Sequence, residues 1–277
     1  MGELKHFWDN LSFSEADESS IEYSLDKVLA RIHRKRTAAG LAAAATVCLV
    51  VALSLLFMPR RDSAPEIQRY YTACGEKHTV TLPDGSTVQM NSASSIVYPE
   101  RFTSANRTVV FSGEGIFNVT PDARHPFVVK APSFEVEVLG TVFDIEAYPE
   151  NDKATVVLSE GAVLVRHNGS ASSLQPGQKA ELLRDGSVSI GSASPADYMA
   201  WSKGGFLLQG ADIDEIINLI RRTYGMEVQC SYSSKFDGTL ITARSEHSRP
   251  VEEFLDLLAE LIPGMKYTIS DNTIRIY

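Results

Sequence analysis

The feature that most constrains this chain is an uncharged stretch near its N-terminus, from Thr37 to Pro59. The 21 residues of Ala38–Met58 are almost all Ala, Leu, Val, Cys, Met or Phe. A helix of that length reaches about 30 Å, the hydrocarbon thickness of a bilayer. A buried core helix would need protein on every side, whereas basic clusters at Arg34–Arg36 and Arg60–Arg61 flank this stretch. We therefore predict a transmembrane helix over residues 37–59.

The basic residues around this segment predict its orientation. Those within reach of its ends are Lys27, Arg31, Arg34, Lys35 and Arg36 before it, and Arg60, Arg61 and Arg69 after it. The excess on the N-terminal side favours a cytoplasmic N-terminus. The 36 largely polar residues that precede the segment argue against a cleaved signal peptide. The sequence predicts a single-pass anchor with a tail, residues 1–36, inside and 216 residues outside.

Charge excludes one class of partner. The chain has a formal net charge of −9, and the segment after Arg61 alone carries −10. Nucleic-acid binding needs clustered Lys and Arg side chains that neutralise phosphates, and no basic stripe of that kind is present. We expect no direct contact with nucleic acid.

The tail carries an apolar stripe that it cannot bury by itself. Five apolar residues recur at helical spacing, after an upstream cluster of three aromatic residues and one leucine. An isolated helix this short is marginal in water, so we predict that it folds against a cytoplasmic partner; a helix on the membrane surface is the alternative. The residues predicted to make the contact are Phe7, Trp8, Leu11, Phe13, Ile21, Leu25, Val28, Leu29 and Ile32.

Beyond a predicted linker at 60–76, short alternating strands predict an all-β domain over residues 77–191, as a sandwich, a barrel or a coiled stack. Turn sequences such as Asp84-Gly85 and Pro176-Gly177 separate the strands. The Gly113-x-Gly115 pattern is interpreted as a β turn. The predicted strands include Thr79–Leu82, Ser86–Met90, Val109–Phe111, Gly115–Val119, Phe127–Lys130, Phe134–Leu139, Val142–Ala147, Thr155–Leu158 and Ala162–Arg166.

After a second predicted linker at 192–203, residues 204–277 predict a small α+β domain. Asp212 is placed to cap a helix that ends at Gly225, and a second helix is expected at Val251–Leu261. Strands are expected at Met226–Tyr232, Thr239–Ala243, Lys266–Ser270 and Thr273–Tyr277. The two halves align with an offset of 39 residues, which predicts two strand–helix–strand units packed on one small sheet. The whole is a membrane-anchored multidomain chain: cytoplasmic helix, membrane helix, all-β domain and α+β domain.

An ordered series of motifs resembles a known family. In chain order these are Thr81–Ser86, Asn91–Ser94, Tyr98-Pro99, Gly113–Val119, Pro126–Val129, Val138–Phe143, Glu160-Gly161 and Leu174–Gln178. The series resembles the FecR family of transmembrane anti-sigma factors. Residues 204–277 are similar to the C-terminal domain of Bacteroidetes-type members, which is itself similar to the short N-terminal module of secretins and TonB-dependent receptors.

The resemblance implies an inner-membrane regulator whose tail binds an extracytoplasmic-function sigma factor. It also implies that the periplasmic part receives a signal from the signalling domain of a TonB-dependent outer-membrane receptor, and that an intramembrane protease acts in release. We expect the receptor to contact an exposed strand edge formed by Thr273, Ile274, Arg275, Ile276 and Tyr277. Because the family includes activators as well as inhibitors, the direction of regulation stays open.

One dipeptide carries a chemical hypothesis. The resemblance implies self-cleavage between Gly140 and Thr141, as in some members of the family, by attack of the threonine hydroxyl on the preceding carbonyl. The favoured alternative is a glycine at a tight β corner followed by an ordinary strand threonine. Cys74 and Cys230 lie where an oxidising compartment would permit a disulfide, but they belong to a linker and to a strand of a different domain, which argues against their pairing.

No other catalytic or cofactor motif is present. The six histidines lack metal-ligand spacing, and the chain has no phosphate loop and no dinucleotide-binding loop. We therefore expect no cofactor, no metal and no enzymatic turnover. The alternative function is a membrane-anchored periplasmic adaptor that binds envelope components or a secretion complex, and it predicts that loss of residues 1–36 has no effect.

Overall fold

The computed structural model describes residues 23–24, 27, 30–31, 34, 44–54, 66–102, 107–231, 236 and 238–277. The chain divides into two compact units, residues 1–63 and 64–277. In the first unit the described residues are helical, including 44–54 within the predicted membrane segment. No helix in the described part of the chain is both long and apolar enough to cross a membrane.

Residues 67–192 of the second unit form the β domain, in which strands alternate with tight turns. Its strands are β1 (Ile67–Tyr71), β2 (His78–Thr81), β3 (Thr87–Met90), β4 (Ser95–Pro99), β5 (Arg107–Asn118), β6 (Phe127–Lys130), β7 (Glu135–Val138), β8 (Val142–Ala147), β9 (Lys153–Glu160), β10 (Val163–His167), β11 (Ser170–Leu174), β12 (Gln178–Leu183) and β13 (Val188–Ser192). The all-β prediction for this region is confirmed.

The strands form one folded sheet in the order β11-β10-β7-β6-β5-β8-β9-β12-β13, and the pairs β1–β4 and β2–β3 branch from β5. All pairs are antiparallel except β5 with β6. The apolar side chains meet in one core, and buried positions alternate with less buried ones along strands such as β3, β5 and β7. The core includes Val88, Met90, Ile96, Phe111, Phe117, Phe127, Phe143, Ile145, Leu158 and Leu174.

Strand β5 corrects one prediction. The sequence predicted two strands separated by a turn at Gly113 and Gly115, but a single strand runs through both glycines. Gly113 has a φ of 112°, and a Cβ atom there would lie 2.3 Å from the Ser94 hydroxyl oxygen. Glycine is therefore required by the close approach of the neighbouring segment and not by a turn.

Both predicted linkers contain regular structure. Strand β1 lies inside 60–76; none of its five residues is buried, so it carries no apolar alternation that a sequence pattern could reveal. The segment 192–203 contains the short helix α1 (Pro195–Tyr198) and a 3₁₀ turn (Met199–Lys203). Its single buried residue is Trp201, which is 5% exposed and lies against the β domain.

Residues 204–277 form the C-terminal domain. Its elements are β14 (Gly204–Ala211), α2 (Ile213–Tyr224), β15 (Glu227–Cys230), β16 (Ile241–His247), α3 (Val251–Leu261), β17 (Tyr267–Ser270) and β18 (Thr273–Ile276). The predicted caps of α2 are confirmed: the Asp212 carboxylate accepts a bond from the Glu215 amide at 2.9 Å, and Gly225 ends the helix with a φ of 66°.

The prediction of one small sheet in this domain is wrong. The first strands of the two units, β14 and β16, pair antiparallel with each other. The later strands form a separate sheet in the order β15-β18-β17. Helices α2 and α3 pack with both sheets around one core. Each helix has an apolar face that must be buried against another element, and the two-stranded sheet alone is too small to cover both faces.

Candidate functional site

The β domain and the C-terminal domain meet at a polar contact surface, which we call the junction. The Trp201 indole donates a hydrogen bond to the Asp144 carboxylate at 3.2 Å. The Lys77 ammonium donates to the carbonyl of Trp201. Asp144 is only 1% exposed, so this carboxylate is enclosed by the residues that link the two domains.

Arg222, in the last turn of α2, makes the densest set of contacts across the junction. Its guanidinium donates to the Glu150 carboxylate at 2.8 Å and to the Asn151 side-chain carbonyl at 3.2 Å. The guanidinium carbon lies 3.8 Å from the centre of the Tyr148 ring, a cation–π geometry. The Arg222 carbonyl accepts from the Gly75 amide at 2.8 Å. Arg222 is 7% exposed, whereas the side chain of its partner Glu150 is 42% exposed, so the pair is only partly shielded from water.

Two lysines of the β domain make a second group of contacts. The Lys153 ammonium lies 3.2 Å from the Glu215 carboxylate of α2 and donates to the Gln209 carbonyl of β14. The Lys179 ammonium donates to the Glu181 carboxylate at 2.7 Å and to the Gln209 side-chain carbonyl at 2.8 Å. Strands β9 and β12 are thereby fastened to the start of the C-terminal domain.

Three acidic residues of β5 and β8 point into the junction. Glu114 and Glu146 lie directly opposite each other in the β5–β8 pair, and Asp144 is two residues before Glu146 on the same face. Like charges at opposite positions of an antiparallel pair repel each other. Asn91 donates to the Glu114 carboxylate at 2.6 Å, and Asn151 donates to that of Glu146 at 3.1 Å.

Burial governs the protonation of this trio. Burial, with the nearby charges of Glu146 and Asp144, raises the pKa of Glu114 well above its usual value. Burial also raises the pKa of Asp144 well above normal, although the bond from Trp201 opposes the shift. The pKa of Glu146 is raised by burial as well and lowered by the charge of Arg222. The junction therefore holds acidic groups whose ionised forms are disfavoured.

A cavity of about 580 Å³ opens at the junction. The β domain supplies a polar wall that includes Glu114 and Glu146, and the C-terminal domain supplies an apolar wall that includes Phe206, Tyr224 and Phe254. Among the described residues no group of three or more His, Cys, Asp or Glu side chains is placed to hold a metal ion.

Of the predicted site residues, one set lies outside the described part of the chain and another lies on a strand inside a sheet. All nine residues predicted to contact a sigma factor lie outside the described residues. The predicted exposed edge at 273–277 is wrong, because β18 is the central strand of its sheet, between β15 and β17. The side chains of Ile274 and Ile276 are fully buried in the domain core.

The Gly140-Thr141 dipeptide lies at a corner before β8. Gly140 has a φ of 153°, and a Cβ atom there would lie 2.6 Å from the Cα atom of Pro121. Thr141 is 4% exposed, and its hydroxyl donates to the Ala162 carbonyl at 3.0 Å. Close packing accounts for the glycine, and cleavage at this bond stays a prediction. Cys74 and Cys230 are free thiols.

Comparison with known proteins defines the class. The model of the "FecR protein" family matches residues 68–164, and that of "FecR, C-terminal" matches residues 205–276. Together the two matches cover more than half of the chain, which therefore belongs to the FecR family.

The chain is also similar to two crystal structures of a candidate anti-sigma factor from Parabacteroides distasonis ATCC 8503. Each is 28% identical and covers 76% of this chain. The matches span 99% and 98% of the respective chains, with TM-scores of 0.73 and 0.72. No curated protein matches the chain.

Proposed function

We propose that this chain is a single-pass inner-membrane anti-sigma factor. In this proposal residues 1–36 bind an extracytoplasmic-function sigma factor in the cytoplasm, and residues 64–277 receive a signal in the periplasm from a TonB-dependent receptor. The observation that carries the proposal is the FecR-family match over both domains, together with a relative described as a candidate anti-sigma factor along almost its whole length.

The exposed side chains of residues 44–54 support the membrane anchor. Five large apolar residues of this helical stretch are between 43 and 62% exposed: Val47, Leu49, Val50, Val51 and Leu53. An apolar surface on several sides of one helix is unfavourable in water, whereas lipid tails would cover it. A membrane span over 37–59 would account for this surface.

The junction supports a route for the signal. A receptor that binds the C-terminal domain would act on β14 and α2, whose contacts with the β domain are mainly ionic and polar. Such contacts can exchange with water at lower cost than an apolar core, so the two domains can undock without unfolding. In the described part of the three-stranded sheet the outer strands are β15 and β17, so a receptor strand would add to one of these.

The test is co-purification of the sigma factor with the full-length chain in detergent. We expect the wild-type chain to retain one extracytoplasmic-function sigma factor. The double variant Leu25→Asp/Leu29→Asp should lose it, because both substitutions place charge on the apolar stripe. The matched control is Lys27→Asp, which changes the net charge by the same amount on another face of the helix.

Two outcomes would contradict the proposal. One is a wild-type chain that retains no sigma factor. The other is equal retention by the stripe variant and the control, which would mean that the apolar stripe does not make the contact. If deletion of residues 1–36 leaves transcription unchanged, the periplasmic adaptor function takes its place.

A further inference from the structure

The junction cavity has walls of opposite chemistry. Its volume of about 580 Å³ lies within the range of about 300–1,000 Å³ found for small-molecule sites. Cavities between domains are a common location for such sites, since ligand contacts can then come from two independent surfaces. The lining includes side chains that neither the fold nor the proposed function explains.

Two carboxylates of the polar wall form no close ion pair among the described residues, although the charges of Arg222 and Lys153 act on Glu146 at longer range. The lining cations Lys153, Arg222 and Arg249 are paired with Glu215, Glu150 and Glu253 respectively. Among the described residues Glu114 and Glu146 have no ion pair within 4 Å, and only the side-chain amides of two asparagines bond to them.

Lys77 compensates only part of this charge. It interacts with Glu114 at longer range, but its ammonium donates to the carbonyl of Trp201 instead. The polar wall thus offers acceptors that a cation entering the cavity would satisfy.

The opposite wall is aromatic. The Phe206 ring packs edge-to-face on Phe254 with the ring centres 4.9 Å apart, and Tyr224 lies 6.0 Å from the same ring. Phe254 is buried, whereas Phe206 and Tyr224 are partly exposed and line the cavity. Aromatic faces contact hydrocarbon groups and also attract cations.

We propose that this cavity binds a small organic cation, whose charged group pairs with Glu114 and Glu146 while its apolar body packs on Phe206 and Tyr224. An inorganic cation fits less well, because the described residues here form no cluster of three metal-ligating side chains. Since the ligand contacts both domains, it stabilises their docked arrangement by mass action. The inference is independent of the proposed sigma-factor contact.

The experiment compares three probes of nearly one shape on the full-length chain in detergent, by isothermal titration calorimetry. The probes are phenethylammonium, neutral 2-phenylethanol and anionic 3-phenylpropionate. We expect the cation to bind at least about tenfold more tightly than the neutral probe, the ratio that one well-formed charge contact provides. We expect the anion to bind most weakly. Equal binding of the cation and the neutral probe, or no saturable binding of the cation, would overturn the proposal.

Variants locate the site. Glu114→Gln and Glu146→Gln should each weaken binding of the cation about tenfold and leave binding of the neutral probe unchanged. Glu160→Gln, at the exposed end of β9 and outside the cavity, makes the same charge change and should have no effect. Phe206→Leu should weaken both probes together. Unaltered cation binding in both carboxylate variants would place the cation elsewhere and overturn the assignment.

Both carboxylate substitutions preserve side-chain shape, and the urea midpoint of each variant checks that it is folded. Glu146→Gln serves as the independent test of the charge contact in the event that Glu114→Gln does not fold.

Discussion

The core of the β domain is stabilised by apolar packing, whereas the junction between the two domains is stabilised by ionic and polar contacts. In the core, the Phe117 ring lies 5.0 Å from that of Phe111 and 5.1 Å from that of Phe143, and all three are excluded from water. At the junction, Arg222 meets Glu150 and Lys153 meets Glu215. Apolar burial is cumulative and insensitive to pH, whereas ionic contacts depend on geometry and protonation. We therefore expect the β-domain core to act as a fixed framework, and the junction to act as a connection between domains that conditions such as pH can weaken.

The largest expected effect tests the framework. Phe117→Ala should lower the free energy of unfolding by about 3–5 kcal/mol, because it removes the middle ring of three and leaves a cavity. Urea unfolding of the full-length chain in detergent measures the change. The control, Tyr71→Ala, alters an aromatic residue that is 63% exposed and should change stability by less than about 0.5 kcal/mol. A similar loss of unfolding free energy in the two variants would mean that the aromatic core is not what stabilises the β domain.

The next effect tests the connection. Arg222→Ala should destabilise docking by about 2 kcal/mol, since it removes charge-assisted bonds to Glu150 and Asn151. Hydrogen exchange should become faster in α2 and β14 and stay unchanged in the core strand β8. The neighbouring Arg221 bonds to Val228 within its own domain, so Arg221→Ala is the matched control. Faster exchange throughout β8 as well would show that the junction belongs to the framework.

A smaller effect tests the protonation of the junction. The pKa of Glu114 is raised in the folded state, so the folded chain binds protons at pH values where the unfolded chain does not. That contribution to stability is complete below the unfolded pKa near about 4.3 and is lost as pH rises through the raised value. Acidification from pH 7 to about 5 should therefore stabilise the wild type. Below about pH 4 the loss of ionised groups such as Asp122, whose pKa is lowered to about 2 by its hydrogen bond with His125, opposes the gain.

Glu114→Gln should flatten this pH dependence and raise the unfolding temperature at pH 7 by about 2–4 °C, the shift that corresponds to about 1 kcal/mol in a domain of this size. Differential scanning calorimetry over the pH range measures both. Glu160→Gln should retain the wild-type profile. A profile that stays as steep in Glu114→Gln as in the wild type would exclude Glu114 as its source.

The smallest expected effect compares an exposed ion pair with the more buried ion pair at the junction. Arg184 and Asp152 lie 3.1 Å apart, but their side chains are 65 and 76% exposed. Arg184→Ala should change the free energy of unfolding, measured by urea unfolding, by no more than about 0.5 kcal/mol, because water screens exposed pairs. A loss as large as that of Arg222→Ala would mean that burial does not distinguish the two.

The sequence predicts those parts of the fold that local chemistry determines. The turn at Asp84-Gly85 and the caps of α2 at Asp212 and Gly225 depend on residues a few positions apart, and the structure has them in place. Strand β1 escapes prediction because it is held by main-chain bonds to β4, and none of its side chains is fully buried.

The junction escapes prediction for another reason. In β8, apolar and acidic residues alternate from Phe143 to Glu146, a pattern that indicates one buried and one solvated face. The connecting segment 192–203 and the C-terminal domain cover the second face instead, through contacts such as Trp201 with Asp144 that join residues 57 positions apart. Arg222 lies off the apolar stripe of its helix, so the same rule predicts exposure there as well. Periodicity identifies a polar face but not what later packs on it.

The strand pairing of the C-terminal domain has a consequence for how it folds. Strands β14 and β15 flank α2, yet β14 pairs with β16 and β15 pairs with β18, both from the other half of the repeat. Each half therefore exchanges strands with the other, as two copies of one unit would in a domain-swapped dimer. Neither half has a complete sheet alone. A break in the chain between Ser231 and Gly238 should therefore leave the C-terminal domain unfolded until the two pieces are mixed.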